Sequence, residues 1–521
     1  MKKSGVIPFV SILAMTAAVG TSSFADASVA SNVPVPAVSA APVKPAASAA
    51  PVKPAASAAP VKPAASAAPV KPAASAASTK PAPSAALAKP AAASKPNASK
   101  QQASPQRVAA ESVPARIAFT NQNHLWVMDA KAKGAAPKQV TTQGTVEIVG
   151  WSYNGEWLMY KQYKTEDRYS SDPVLWVVRA DGTGAYPIET MPVYQTAKWS
   201  PTALQLAYAT NNPKGHNQTQ LTIATISAGK VTAKSRIDQV NAGDFTWMPD
   251  GKALLVATPA TVGVPPRLVK MDLAGNVAKS FGIGEKPTAN DVIYMRQAAG
   301  MAVSPDGRYA AYYQLPNSSS LAADGVSLML LDLQQPAKRI ELGGSLAYNQ
   351  WLAWSADSSR LAFVEGGGRE ATTGKHLMIA ERRTGFRPTQ AGEEKLLSLQ
   401  PEWGNAAGST LCFEQGKENL SWMGNYDSTR VLVPGQRIWQ RTADGKAHAV
   451  TTGPANTADY APIVSPDGKT MLFLRLDSAE RGSLYMKSGA SQEGELLRNV
   501  TGENGYYGNY LPGWVAVYWT K

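Results

Sequence analysis

Val303-Ser304-Pro305-Asp306-Gly307-Arg308-Tyr309 is followed by the apolar run Ala310-Ala311-Tyr312-Tyr313 and preceded by Ala298–Ala302. Proline supplies a fixed φ and glycine tolerates a positive one, so Pro-Asp-Gly between two apolar runs predicts a tight turn joining antiparallel strands. The same arrangement recurs as Trp151-Ser-Tyr-Asn-Gly155, Trp199-Ser-Pro201, Trp247-Met-Pro-Asp-Gly251, Trp354-Ser-Ala-Asp357, Trp403-Gly-Asn405 and Val464-Ser-Pro-Asp-Gly468, with a last Trp514 after Leu511-Pro-Gly513.

Around each turn the grammar repeats. A first strand ends at the Trp or Val, and a second follows the turn, as in residues 252–258 and 308–314. A third comes next, for example Leu175-Trp-Val-Val178, Leu268-Val-Lys-Met271 or Leu484-Tyr-Met486, and a more polar segment such as Ala447-His-Ala-Val-Thr451 closes the unit. Four short strands every 48 to 61 residues define β-propeller blades. The chain ends complete the count. Residues 116–141 supply second, third and fourth strands without a first, and residues 509–514 supply a first strand with little after it. Pairing them closes the ring three-plus-one and removes the exposed edges of an open array. The fold expected is all-β: eight blades, or seven if the degenerate unit at Trp403 forms none.

The Trp/Val-Ser-Pro-Asp-Gly-Lys/Arg turn followed by an apolar strand resembles the WD40-like (PD40) repeat of TolB-like propellers over about residues 116–514. That resemblance implies a periplasmic interaction platform. TolB proteins place an α/β domain before a six-bladed propeller, whereas this sequence has more repeats and a low-complexity segment there. The repeat also occurs in dipeptidyl-peptidase, prolyl-oligopeptidase and oligogalacturonate lyase-like propellers.

The N-terminal residues carry an address. Lys2 and Lys3, the apolar run Val6–Gly20 and Ala25-Asp26-Ala27 have the form of a secretory signal cleaved after Ala27, so residues 1–27 are expected to be removed and the protein to be extracytoplasmic, secreted or envelope-associated. The run is shorter than the roughly 20 residues of a spanning helix, and no transmembrane segment is expected after cleavage. Residues 28–107 contain the repeat Ser39-Ala-Ala-Pro-Val-Lys-Pro-Ala-Ala47, renewed at Ser48, Ser57 and Ser66. Proline at two of nine positions and the lack of aromatics predict a disordered, extended spacer, of which residues 39–92 alone could reach about 170 Å. The propeller itself is assigned to residues 108–521.

Net charge is +13, but residues 1–110 hold ten lysines and Arg107 against Asp26 alone, leaving +3 for the rest. The distribution argues against nucleic acid as partner. A single cysteine, Cys412, permits neither an internal disulfide nor a thiolate metal cluster. No G-x-S-x-G elbow is present, so a serine hydrolase site is not expected. The four histidines, His124, His216, His376 and His448, fall in different units without ligand spacing, and Asp250, Asp306 and Asp467 read as turn formers. No cofactor or metal is expected.

Six tryptophans sit on the repeat position and read as packing. The less periodic aromatics stand in the long connections between second and third strands, which share one face of a propeller, or, in the case of Tyr507, near the closure. Tyr163, Asp167 and Tyr169, Trp422 and Tyr426, and Tyr507 are therefore the residues expected to contact a partner, because large aromatics give contact area at low entropic cost. The function expected is a monomeric, non-enzymatic platform binding an envelope protein or polysaccharide. Two alternatives are a propeller carbohydrate-active enzyme with Glu166, Asp167 and Glu418 as acids near the channel mouth, and a structural wall protein.

Overall fold

The computed structural model describes residues 103–109, 111–194, 196–211, 219–404, 409–420, 432–489, 491–502 and 513–520. Ala27, the spacer, Trp422, Tyr426 and Tyr507 lie outside the described residues, as does the side chain of Tyr169.

The described strands form eight antiparallel sheets, each with its first strand innermost. The innermost strands are Val515–Trp519 in blade 1, Thr145–Trp151 in blade 2, Ala197–Trp199 in blade 3, Asp244–Trp247 in blade 4, Met295–Val303 in blade 5, Leu352–Trp354 in blade 6, Leu397–Trp403 in blade 7 and Ala458–Val464 in blade 8. The Trp403 unit is a full blade, with Leu411–Gly416, Arg437–Arg441 and Ala447–Ala449 completing it, so the seven-blade alternative falls.

The ring closes through blade 1, where Val515–Trp519 pairs antiparallel with Ala115–Asn121. The closing strand thus begins where the expected one, residues 509–514, ends. Trp514 does not hold the repeat position either. Trp151 is partnered by Leu158, and its equivalent by register is Val517, partnered by Ile117. Trp514 is instead buried in the core between blades 1 and 8. Its main-chain carbonyl accepts from Thr120 N at 3.0 Å.

A further strand appears at Gln106–Arg107, pairing with Gly494–Thr501 at the outside of blade 8. Arg107 fixes it by donating to the carbonyls of Ala109 and Ala132 at 2.8 Å each and of Ala130 at 3.2 Å.

The turns behave as their chemistry demands. Ser304 Oγ accepts from Tyr309 N at 2.9 Å, and Asp306 Oδ1 accepts from Arg308 N at 3.1 Å. Ser465 and Asp467 repeat both bonds with Thr470 and Lys469. Gly307 and Gly468 take φ of +70° and +72°. The aspartates are thereby accounted for as turn formers.

Five repeat-position tryptophans staple neighbouring blades. The indole N–H of Trp151 donates to Ala516 O (3.1 Å), that of Trp199 to Gly150 O (3.0 Å), Trp247 to Lys198 O (3.1 Å), Trp354 to Ala302 O (3.2 Å) and Trp403 to Ala353 O (3.0 Å). Each acceptor lies one residue before the repeat position of the preceding blade. Trp247→Phe keeps an aromatic ring but loses this bond and part of the buried indole, so it should lower stability by at least about 1 kcal/mol in urea unfolding. No change in the midpoint would mean that the indole, bond and packing together, contributes nothing at that junction.

Candidate functional site

Antiparallel order puts the short turns between first and second strands at one end of every blade. Connections between second and third strands, and those from blade to blade, gather at the other. This second end is the loop face. It is richer than the sequence suggests, since inter-blade connections join the loops already singled out.

Nine large apolar side chains are exposed among the described residues, and six of them, Val262, Val264, Val292, Ile293, Leu321 and Leu420, are on the loop face. Five belong to blades 4 and 5. Val262 and Val264 lie between the second and third strands of blade 4, Val292 (82% exposed) and Ile293 on the connection to blade 5, and Leu321 on the short helix Ser319–Ala323. The three loops are tied together: Gly263 N donates to Pro287 O (2.8 Å), Asn317 N to Tyr294 O (3.0 Å) and Asn317 Nδ2 to Val292 O (3.0 Å). The result is an apolar platform whose loops are tied to one another by hydrogen bonds to main-chain carbonyls.

Of the expected contact residues, Tyr163 ends the second strand of blade 2 on this face, and its hydroxyl donates to Glu147 Oε2 at 3.2 Å. Glu147 also accepts from Lys161 Nζ at 3.3 Å while keeping 34% of its side chain open. Burial acts to raise the Glu147 pKa, but the Lys161 and Arg168 charges and the bonds from Lys161 and Tyr163 outweigh it and hold the carboxyl below its ordinary value. Asp167 is exposed and closes the turn at Arg168–Ser170, accepting from Ser170 Oγ at 2.6 Å. Tyr169 belongs to that same turn.

The acids considered for catalysis are not brought together. Glu166 and Asp167 belong to blade 2, whereas Glu418 accepts from Gly374 N of blade 6 at 2.6 Å. Beside it Lys375 is fully buried, donating to Gly367 O (2.7 Å) and Thr373 O (2.9 Å). Burial, opposed by Glu370 and Glu418, lowers its pKa to about 8. It pins its loop. Among the described residues no group of three or more His, Cys, Asp and Glu side chains is placed to hold a metal ion. Cys412 is buried, and that burial pushes its thiol up to about 12, which suits a core residue rather than a nucleophile.

The turn face carries a cleft between blades 5 and 6. There Tyr309 lies between the Arg308 and Arg382 guanidiniums, 5.1 and 5.2 Å from its ring centre. Asp332 holds Arg308 at 2.9 Å and Asp306 holds Arg382 at 3.3 Å, so both charges are already compensated.

Sequence reasoning missed a ring of side chains around the axis. The residue before the repeat position is Gly150, Lys198, Thr246, Ala302, Ala353, Glu402, Ile463 or Ala516 in blades 2 to 8 and 1, and all eight are partly exposed despite standing on innermost strands. Innermost strands border the central channel of a propeller, so these positions are read as its lining. Only Lys198 and Glu402 are charged. Burial lowers the Lys198 pKa against the opposing pull of Asp244, and burial pushes Glu402 up to about 7. Aligning the turns exposes seven of these positions in the sequence. The eighth, Ala516, needs the observed register.

The fold and its faces define a closed eight-bladed propeller with a loop-built rim. The chain is similar to TolB from Acinetobacter baumannii, at 17% identity over 54% of this chain and 64% of that one with a TM-score of 0.35. It is also similar to a prolyl endopeptidase, at 12% identity over 68% of this chain and 50% of that one (TM-score 0.43). A third likeness is to the propeller domain of the trilobed protease from Pyrococcus furiosus, at 12% identity over 67% and 97% (TM-score 0.38). The chain thus spans 64% of that TolB and half of the endopeptidase. No protein-family model and no curated protein matches it. Among the described residues no helix is long and apolar enough to cross a membrane.

Proposed function

We propose that this chain is an extracytoplasmic binding platform without catalytic activity of its own, and that it holds an envelope protein on its loop face. The observation that carries this reading is the concentration of exposed aliphatic side chains at blades 4 and 5, on loops fixed by main-chain hydrogen bonds. Apolar patches of this kind on a rigid scaffold mark interaction surfaces. A protein fits better than a polysaccharide, because the exposed large apolar groups described on this face are aliphatic rather than the aromatic rings on which sugars stack. Tyr163, Asp167, Tyr169, Trp422, Tyr426 and Tyr507 extend the proposed contact surface. A leader cleaved after Ala27 and a Pro/Ala/Lys spacer over residues 28–107 would deliver the propeller outside the cytoplasm and tether it there.

The test compares wild type with the double variant Val262→Asp/Val292→Asp in pull-downs from envelope extract. Both side chains are exposed, so thermal unfolding should stay within about 0.5 kcal/mol of wild type. Retention of a specific protein should fall at least tenfold, roughly 1.4 kcal/mol. Undiminished retention would remove the platform from the interface, and turnover of an envelope polysaccharide would replace the binding reading with an enzymatic one.

A further inference from the structure

The eight channel-lining positions are not chemically uniform. Gly150, Thr246, Ala302, Ala353, Ile463 and Ala516 are uncharged and mostly apolar or small, while Lys198 stands on blade 3 and Glu402 on blade 7. Blades 3 and 7 are four apart in a closed ring of eight, so the two charges stand on opposite walls, at equivalent places on their strands.

Neither group makes a hydrogen bond or ion pair with another described residue through its charged end. No hydrogen bond or ion pair joins the Glu402 carboxylate to another described residue, and its cross-strand partner is Cys412. Among the described residues the Lys198 ammonium feels the charge of Asp244 without pairing to it, and that carboxylate spends its hydrogen bonds on Gly300 N (2.8 Å), Thr196 Oγ1 (2.9 Å) and its neighbour Phe245 N (2.7 Å). Taking a charge away from bulk water without a partner is costly. The upward shift at Glu402 and the downward one at Lys198 are that cost expressed as proton affinity.

We propose that the central channel is a second binding site, separate from the loop face, for a dipolar chain molecule that sets an anionic end against Lys198, a cationic end against Glu402 and an uncharged middle against the small residues between them. Such a ligand gives each of the two groups a direct ion pair at once. A dication or a dianion meets a like charge at one wall.

The probes are ω-amino acids of increasing methylene number, each with the diamine and dicarboxylic acid of equal length as controls, titrated calorimetrically into the full chain. Binding is expected to rise sharply once the chain spans the channel, with both controls at least tenfold weaker. Lys198→Met should abolish the advantage over the diamine, and Glu402→Gln the advantage over the dicarboxylic acid. Unfolding of each variant is followed alongside. Equal binding of all three probe types would overturn the proposal, as would affinity indifferent to both substitutions or no binding at any length. Neither variant touches Val262 or Val292, so partner retention on the loop face reads out separately.

Discussion

Glu414→Gln is expected to leave the propeller as stable as wild type near pH 5 and to make it more stable by about 3 kcal/mol near pH 8. Glu414 lies in the second strand of blade 7 and is fully buried. Its Oε1 accepts from Ala461 N at 2.8 Å and its Oε2 from Gln436 Nε2 at 3.4 Å. Ala461 has φ of +52° at a bulge in the innermost strand of blade 8, so the carboxyl holds the amide that this irregularity frees. Burial outweighs both bonds and pushes Glu414 up to about 8. The nearby titratable groups are Tyr460 and Asp459, neither of them a cation, and the guanidiniums of Arg475 and Arg437 are drawn to Asp459 instead.

The sign follows from proton counting. In the unfolded chain the carboxyl loses its proton near pH 4.3, whereas in the fold it keeps it to about 8. The native state therefore binds more protons throughout that window, and stability falls as pH rises through it. Glutamine keeps the acceptor for Ala461 and has no proton to lose. Urea unfolding of both proteins from pH 5 to 8 measures the difference curve, which cancels contributions common to both, including the opposite trend that Lys375 introduces above about pH 8. A flat difference would place a compensating cation beside Glu414 and refute the assignment.

The sequence shows blade number and turn chemistry because both are local. Ser-Pro-Asp-Gly fixes where the chain reverses, and spacing fixes how many times. Blade 1 is less legible for a physical reason. Its repeat position is a valine, indistinguishable in a strand from any other β-branched residue, while a tryptophan three positions earlier mimics the repeat. Only pairing of Val517 with Ile117, some 400 residues away, settles the register. The two-residue strand Gln106–Arg107 had no signal, since its stability comes from Arg107 reaching carbonyls of distant residues.

The same distinction applies to the site. Loop length singles out the loop face but not the platform on it, because valine and isoleucine in a loop read as core until exposure is known. Glu147 and Lys161 meet across paired strands, and Lys198 and Glu402 are related only by ring geometry. Chemistry built from residues far apart in the chain becomes visible only once closure is established.

Closure gives the largest expected effect. Removing residues 513–521 deletes the innermost strand of blade 1, exposes the pairing edge of Ala115–Asn121 and takes away Trp514, Val515 and Val517 from the core shared with blade 8. It also removes Ala516 O, the acceptor of the Trp151 indole, so the junction between blades 1 and 2 loses its staple. Main-chain pairing and apolar burial lost together amount to about 5 kcal/mol or more, as much as the whole stability of many domains. The truncated chain should therefore unfold without a cooperative transition or associate through its free edge. A peptide of residues 513–521 added in trans should restore a single transition, with its midpoint rising as peptide concentration rises. The same peptide with Val517→Pro, which sets a prolyl ring in the middle of the closing strand, should not. A truncated chain that melts cooperatively at the wild-type temperature would mean that the ring holds without its last strand. Rescue by the proline peptide would mean that the register with Ile117 is not what closes it.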